Sequence, residues 1–273
     1  MALTFPQGLE RIKAAVLAQE ETLTQVASAF ADALEAGGLV HVYANGHSRI
    51  AAEEWVVRMG ALTGFHPMMP PGLVTFDGVV GSRGIRINQS VERAEGIGDL
   101  LLDEFDIGPK DVLVAVSATG TTPAAVDTAL AFHRRYPGHP LVAVASLTQA
   151  RDAAPKHSSG KTLLHVTQEA ERGFFLDNGM PLGDLSVTVE GRTGDYQLGP
   201  LSSIGALTLV QSLNELTVRE LDRRGVRHPV LQNMHLHNTA DSYEAWVRDQ
   251  RRRYARALHR PEPGELEADG RVR

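Results

Sequence analysis

Ser117, Thr119, Thr121 and Thr122 stand within six residues of one another around a single Gly120, in the stretch VLVAVSATGTTPAAVDTAL (112–130). Hydroxyl side chains donate hydrogen bonds without adding charge. A helix that opens just behind them, here at Pro123, adds free backbone N–H groups and the positive end of its dipole. The ligand such a loop suits is an anion, and a phosphate above all. A second loop of this kind, Asn45, Gly46, His47 and Ser48 in ANGHS, precedes another helical pattern. Gly46 and Gly120 would let the backbone approach a ligand closely. Ser and Thr also cap helices routinely, so either loop alone reads first as a cap, and it is the pair of loops that shifts the balance toward a ligand.

Two other phosphate motifs fail. HSSGKT (157–162) resembles the end of a P-loop, but Pro155 stands where the first glycine belongs, and the strand-like TLLHV follows where a helix should begin. YANGHSRIA lacks the glycines of a dinucleotide fingerprint.

The elements that would carry these loops follow from hydrophobic periodicity. LVHVYA, DVLVAVS and PLVAVAS are short and apolar almost throughout, as strands covered on both faces are. Helical spacing predicts helices over 9–36, 48–62, 90–105, 123–135, 200–224 and 241–258. The Pro- and Gly-rich segment 66–88 reads as a short strand followed by an irregular loop, and TLLHVT, GFFLDN and LSVTVE read as weaker strands. Strand alternating with helix predicts an α/β fold with a mainly parallel sheet. No linker divides the pattern, so residues 1–258 read as one domain with helical additions at both ends. Residues 259–273 have no apolar pattern and read as a disordered tail.

Composition narrows the classes of function. Cysteine is absent, which excludes disulfides and thiolate chemistry. A net charge of −6 argues against a nucleic-acid partner. No stretch reaches the ~20 apolar residues that span a bilayer, and no secretory leader is visible, so the expected compartment is the cytoplasm. His228, His235 and His237 are of the type that binds zinc or nickel, but no supporting ligand pattern surrounds them. The reading assigns neither metal nor cofactor.

SATGTTPAAVDTA resembles the phosphosugar-binding signature of the SIS (sugar isomerase) domain family, usually S-x-S-G-x-T followed by a helix, and NGHSRIAAEE resembles that family's first loop. HSSGK (157–161), DNGMPLGD (177–184) and GPLS (199–202) extend the resemblance to a bacterial branch of single-domain SIS proteins, over residues 8 to 235. The resemblance implies a five-stranded parallel sheet flanked by helices, a homodimer, and a phosphorylated sugar as ligand. It implies phosphate contacts from Ser48, Ser117, Thr119 and Thr122. Thr119 replaces the usual serine, and Ala118 stands where a polar residue is common, which puts sugar specificity rather than phosphate binding in question.

The resemblance also implies a choice of activities: aldose–ketose isomerisation, sugar sensing without turnover, or etherase-like lyase chemistry. Isomerisation needs a base near C1 and C2. Glu53 and Glu54 follow Ser48 by about one and a half turns; Glu54 is the chosen base, since adjacent residues point ~100° apart. His157 or His235 is its expected partner. Ser158, Ser159 and Lys161 join the expected binding residues through the HSSGK motif. Asp177, Asn178 and Ser202 join them at the ends of a strand and at the start of the long helix.

Overall fold

The computed structural model describes residues 3–69, 86–233 and 240–258. Five strands form the main sheet: β1 (Val40–Ala44), β2 (Phe65–Met68), β3 (Val112–Val116), β4 (Leu141–Ala145) and β5 (Gly173–Asp177). They run parallel in the order β2-β1-β3-β4-β5. Residues β1, β3 and β4 are buried throughout. Their uniform apolar character follows from cover on both faces.

The helices in chain order begin with α1 (Phe5–Leu17), α2 (Glu20–Glu35), α3 (Arg49–Trp55), α4 (Arg86–Glu92) and α5 (Ile97–Asp103). After β3 come α6 (Pro123–Arg135), α7 (Leu147–Asp152) and α8 (Leu163–Glu169), then α9 (Ser202–Arg223) and α10 (Ala240–Leu258). Alternate strand residues point to opposite faces. Val42, Val114 and Val144 meet Phe30 of α2, Trp55 of α3 and Leu209 of α9 in one core. Tyr43, Ala115 and Ala143 meet Leu102 of α5, Phe132 of α6 and Val166 of α8 in the other. Alternation of strand and helix therefore produces the expected α/β sandwich of layers, with helical additions at both ends. No helix among the described residues is long and apolar enough to cross a membrane.

Several expected elements differ. The helix expected over 9–36 breaks between α1 and α2, because Gln19 turns inward. Its Nε2 donates to Ala15 O and Asp177 O (3.0 and 2.7 Å) and its Oε1 accepts from Asp177 N (2.9 Å), joining the N-terminal helices to the end of β5. The helix expected over 48–62 ends at Trp55. The β-branched pair Val56–Val57 leaves helical geometry, Val57 at φ 55°, and Trp55 stacks on Phe65. The helix expected over 90–105 is divided by Gly96, which adopts φ 84° at the start of α5. TLLHVT is helical rather than a strand. Leu163 and Val166 share one buried face, and His165 Nδ1 accepts from Thr162 N at the first turn (3.2 Å).

LSVTVE is a strand, but outside the main sheet. β6 (Leu185–Val189) pairs antiparallel with β7 (Tyr196–Pro200), which the sequence reading missed. Leu185, Val187, Val189, Tyr196, Leu198 and Pro200 share one face through the pairs Leu185↔Pro200, Val187↔Leu198 and Val189↔Tyr196. The other face abuts Phe5 of α1 at Gly199. The hairpin's apolar face is the exposed one: Tyr196 and Leu198 are 50% and 51% exposed.

The C-terminal helix docks on the β2 edge by polar contacts. Gly64 N donates to Gln250 Oε1 (2.8 Å), and Phe65 O accepts from Gln250 Nε2 (3.4 Å) and from the Tyr254 hydroxyl. Arg253 donates to Gly38 O and Leu34 O (2.9 and 3.1 Å). Arg256 donates to both oxygens of buried Asp111 (2.9 and 2.8 Å). Asp111 also accepts from His41 Nε2 (2.9 Å), and His41 Nδ1 bonds to His66 Nδ1 (3.0 Å). The buried network thus ties β1, β2 and the approach to β3 to α10.

Candidate functional site

The order β2-β1-β3-β4-β5 reverses direction between β1 and β3, the place where open α/β sheets bind ligands beyond their strand ends. Ala44 pairs with Val116 there, which sets Asn45 beside Ser117. A cavity of about 250 Å³ opens over them. Both hydroxyl loops of the sequence reading contribute to its wall, through Asn45, His47 and Ser48 on one side and Ser117, Thr119 and Thr122 on the other.

Neither loop uses its hydroxyls as simple caps. Thr122 is the N-cap residue of α6 and Ser48 that of α3, and neither side chain makes the capping bond. Thr122 Oγ1 instead bonds Ser117 Oγ (3.1 Å), which also accepts from Gly120 N (3.1 Å). Thr119 Oγ1 bonds Thr121 Oγ1 (3.0 Å) and accepts from Thr121 N (3.2 Å). Thr121 is fully buried away from the cavity. Gly120 shapes the loop at φ 71°, where a Cβ would press on Ala145 and Ala150. Asn45 is 4% exposed, and its Nδ2 has no hydrogen-bond partner among the described residues. A buried amide donor without an acceptor costs roughly 1–3 kcal/mol unless a ligand or water completes it.

The opposite wall comes from Asn178, Ser202 and Ser203. Asn178 is held by its own bonds, Nδ2 to Ala118 O (3.1 Å) and Oδ1 from Met180 N (3.0 Å). Gly205 lets α9 lie against it; a Cβ at Gly205 would sit 1.8 Å from Asn178 O. Asp184, at φ 68°, accepts from Leu201 N and Ser202 N (both 2.8 Å) and from Ser202 Oγ (2.6 Å). The DNGMPLGD motif is therefore a brace that fixes the start of α9 at the cavity.

Two charged wall residues escaped the sequence reading, Glu92 and Lys156. Glu92 ends α4 and lies over Gly46, whose φ is 52° and whose Cβ would stand 2.2 Å from Glu92 Oε1. Burial raises the Glu92 pKa above the usual carboxylate value, against the pull of His47 and Arg93. Lys156 adjoins the HSSGK motif, the one sequence signal that pointed toward it.

Other expected residues stand elsewhere. Glu54 is outside the cavity wall: it stands about one helical turn beyond Ala51, which does line it, and its Oε1 accepts from Arg58 Nε (3.2 Å) and Gln211 Nε2 (2.7 Å). His157 is buried between loop and helix, with Nδ1 on Ser159 Oγ (2.8 Å) and Nε2 on Asp127 Oδ1 (3.3 Å). Ser158 N donates to Glu95 Oε1 (2.8 Å), and Lys161 Nζ pairs with Glu169 (2.5 Å). Asp177 Oδ1 accepts from Leu147 N and Gly179 N (3.0 and 3.1 Å). These groups support the loops rather than line the cavity. A helix does follow HSSGKT, which removes one ground for rejecting a P-loop; Pro155 and the Lys161–Glu169 pair remain against it. His228 Nε2 donates to Thr63 O (2.9 Å), while His235 and His237 lie outside the described residues.

Comparison with known proteins bears on the same span. The profile of the SIS domain family matches residues 5–146. A UPF0309 protein of Shouchella clausii is 27% identical over 224 residues, 82% of this chain and 85% of its own. One from Geobacillus thermodenitrificans is 25% identical over 243 residues, 89% and 92% of the two chains. Among solved structures, phosphoheptose isomerase of Neisseria gonorrhoeae aligns over 79% of this chain and 95% of its own at 15% identity, with a TM-score of 0.46.

Proposed function

Since this chain belongs to the SIS domain family, we propose that its cavity binds a phosphorylated sugar, with the phosphate held by Ser48, Ser117, Thr119 and Thr122 and by the first turn of α6. Asn45, Asn178 and Ser202 face the sugar. The activity we propose is aldose–ketose isomerisation by proton transfer between C1 and C2, in the cytoplasm. The observation that carries the reading is the set of hydroxyls at cap positions that do not cap, beside the unpartnered Asn45 amide, in one cavity. Donors left in that state favour an anionic ligand rich in acceptor oxygens.

The test is thermal unfolding with sugar phosphates, amino-sugar phosphates and their unphosphorylated parents. A ligand at 100 times its Kd adds about 2.7 kcal/mol of stability, a rise in Tm on the order of 5–10 °C for a chain of this size. A rise confined to phosphorylated members is the expected result. Equal effects from the parent sugars, or none from any member, overturn the reading.

We also propose a homodimer. Its support is the exposed apolar face of the β6–β7 hairpin, which carries no charge. Glu190, Arg192 and Asp195 at the hairpin tip bring both signs of charge and no ion pair to a described residue. A second copy of the same face is complementary to it in both respects.

A further inference from the structure

We propose that Glu92, and not Glu54, is the carboxylate that moves the proton in this cavity, with the Lys156 ammonium facing the oxygen that becomes charged. The assignment rests on the phosphosugar reading above. Three titratable side chains are found among the described residues of the wall: His47, Glu92 and Lys156. Glu92 is the one carboxylate of the three, and it is half-buried whereas His47 and Lys156 are exposed. Gly46 leaves the room it occupies, since a Cβ there would stand 2.2 Å from Glu92 Oε1. Val91, its neighbour in α4, packs against the core beneath. A base that must take a proton from carbon works best where water is thinned out, and burial already pushes its pKa upward. Glu54 is not in the cavity wall, and its carboxylate is engaged by Arg58 and Gln211.

The step balances without a cofactor. In the open-chain aldose phosphate, the Glu92 carboxylate takes the C2 proton. The C2–H electron pair becomes the C1=C2 bond, and the carbonyl π pair moves onto O1, opposite Lys156. The proton on O2 passes to O1, and Glu92 returns its proton to C1 as the C2 carbonyl forms. The product is the ketose phosphate, and Glu92 ends as a carboxylate.

The experiment follows deuterium incorporation from D2O at C1 and C2 by NMR. The probes are glucose, mannose, fructose and glucosamine 6-phosphates and sedoheptulose 7-phosphate, with thermal unfolding run on the same samples. Exchange into a phosphate that also stabilises the wild-type protein is expected. Glu92→Gln should slow that exchange about 100-fold or more while the ligand-induced rise in Tm persists, and Glu92→Asp should restore part of the rate. Exchange unchanged in Glu92→Gln overturns the assignment. Exchange lost in Glu54→Gln but kept in Glu92→Gln returns the role to Glu54. Stabilisation of the wild type without exchange of any probe overturns catalysis and leaves binding standing. No stabilisation by any probe overturns the binding reading itself, and the assignment with it.

Discussion

Ser117 and Thr122 share one hydrogen bond across the mouth of a loop, and each hydroxyl retains capacity for a further partner. Thr122→Val keeps the shape and removes that capacity. A hydrogen bond to a charged group is worth about 1.5–3 kcal/mol, so Thr122→Val should weaken binding of a stabilising sugar phosphate roughly 10- to 100-fold in titration calorimetry. Binding within twofold of wild type would remove Thr122 from the phosphate contacts. These hydroxyls were legible in the sequence because one contiguous loop holds the whole arrangement, and its chemistry does not depend on distant residues. Glu92 was not legible. Its carboxylate meets Gly46 only because α4 packs over the β1 loop, and no local pattern announces that packing. Glu54 shows the opposite case: its spacing from Ser48 is local and real, but α3 carries it about one turn beyond the lining residue Ala51.

The β6–β7 hairpin shows how an element's surroundings decide the meaning of its pattern. Its alternating residues read correctly as a strand in LSVTVE, yet alternation marks only that one face is apolar, not which neighbour covers it. Two paired strands are marginal alone, and here α1 supports the polar side. If a second copy covers the other side, Leu198→Lys together with Val189→Lys should convert the protein from dimer to monomer in light scattering. A mass unchanged by the pair would remove the hairpin from the interface. The same dependence on context explains the other element-level differences. TLLHVT is too short for its period to distinguish strand from helix. The α1–α2 break exists to bring Gln19 to Asp177, a contact between distant parts of the chain.

For the whole molecule, the alternation of apolar strands and amphipathic helices sufficed to read the layered parallel sheet, while the polar network binding its edge to α10 was invisible. That network makes stability depend on pH. Burial lowers the His66 pKa from 6.5 to about 3, with His41 adding to the effect. Burial alone would raise the Asp111 pKa, but hydrogen bonds from His41 and Arg256 hold it below the usual value. Both groups bind protons more readily in the unfolded chain, so stability is full above about pH 6.5 and falls as the pH drops toward 3. The His66 share is at most about 5 kcal/mol. Urea unfolding between pH 7 and 4 should show this loss, and His66→Gln should flatten the slope; an unchanged slope would exclude His66 as its source. The docking of α10 has a consequence for synthesis as well. Gln250 and Tyr254 satisfy backbone groups of Gly64 and Phe65 that a sixth strand would otherwise take. Until residues 240–258 have left the ribosome, the nascent sheet carries an open edge at β2, a template onto which another unfinished chain can pair. The helix that closes it emerges only after all of the described strands.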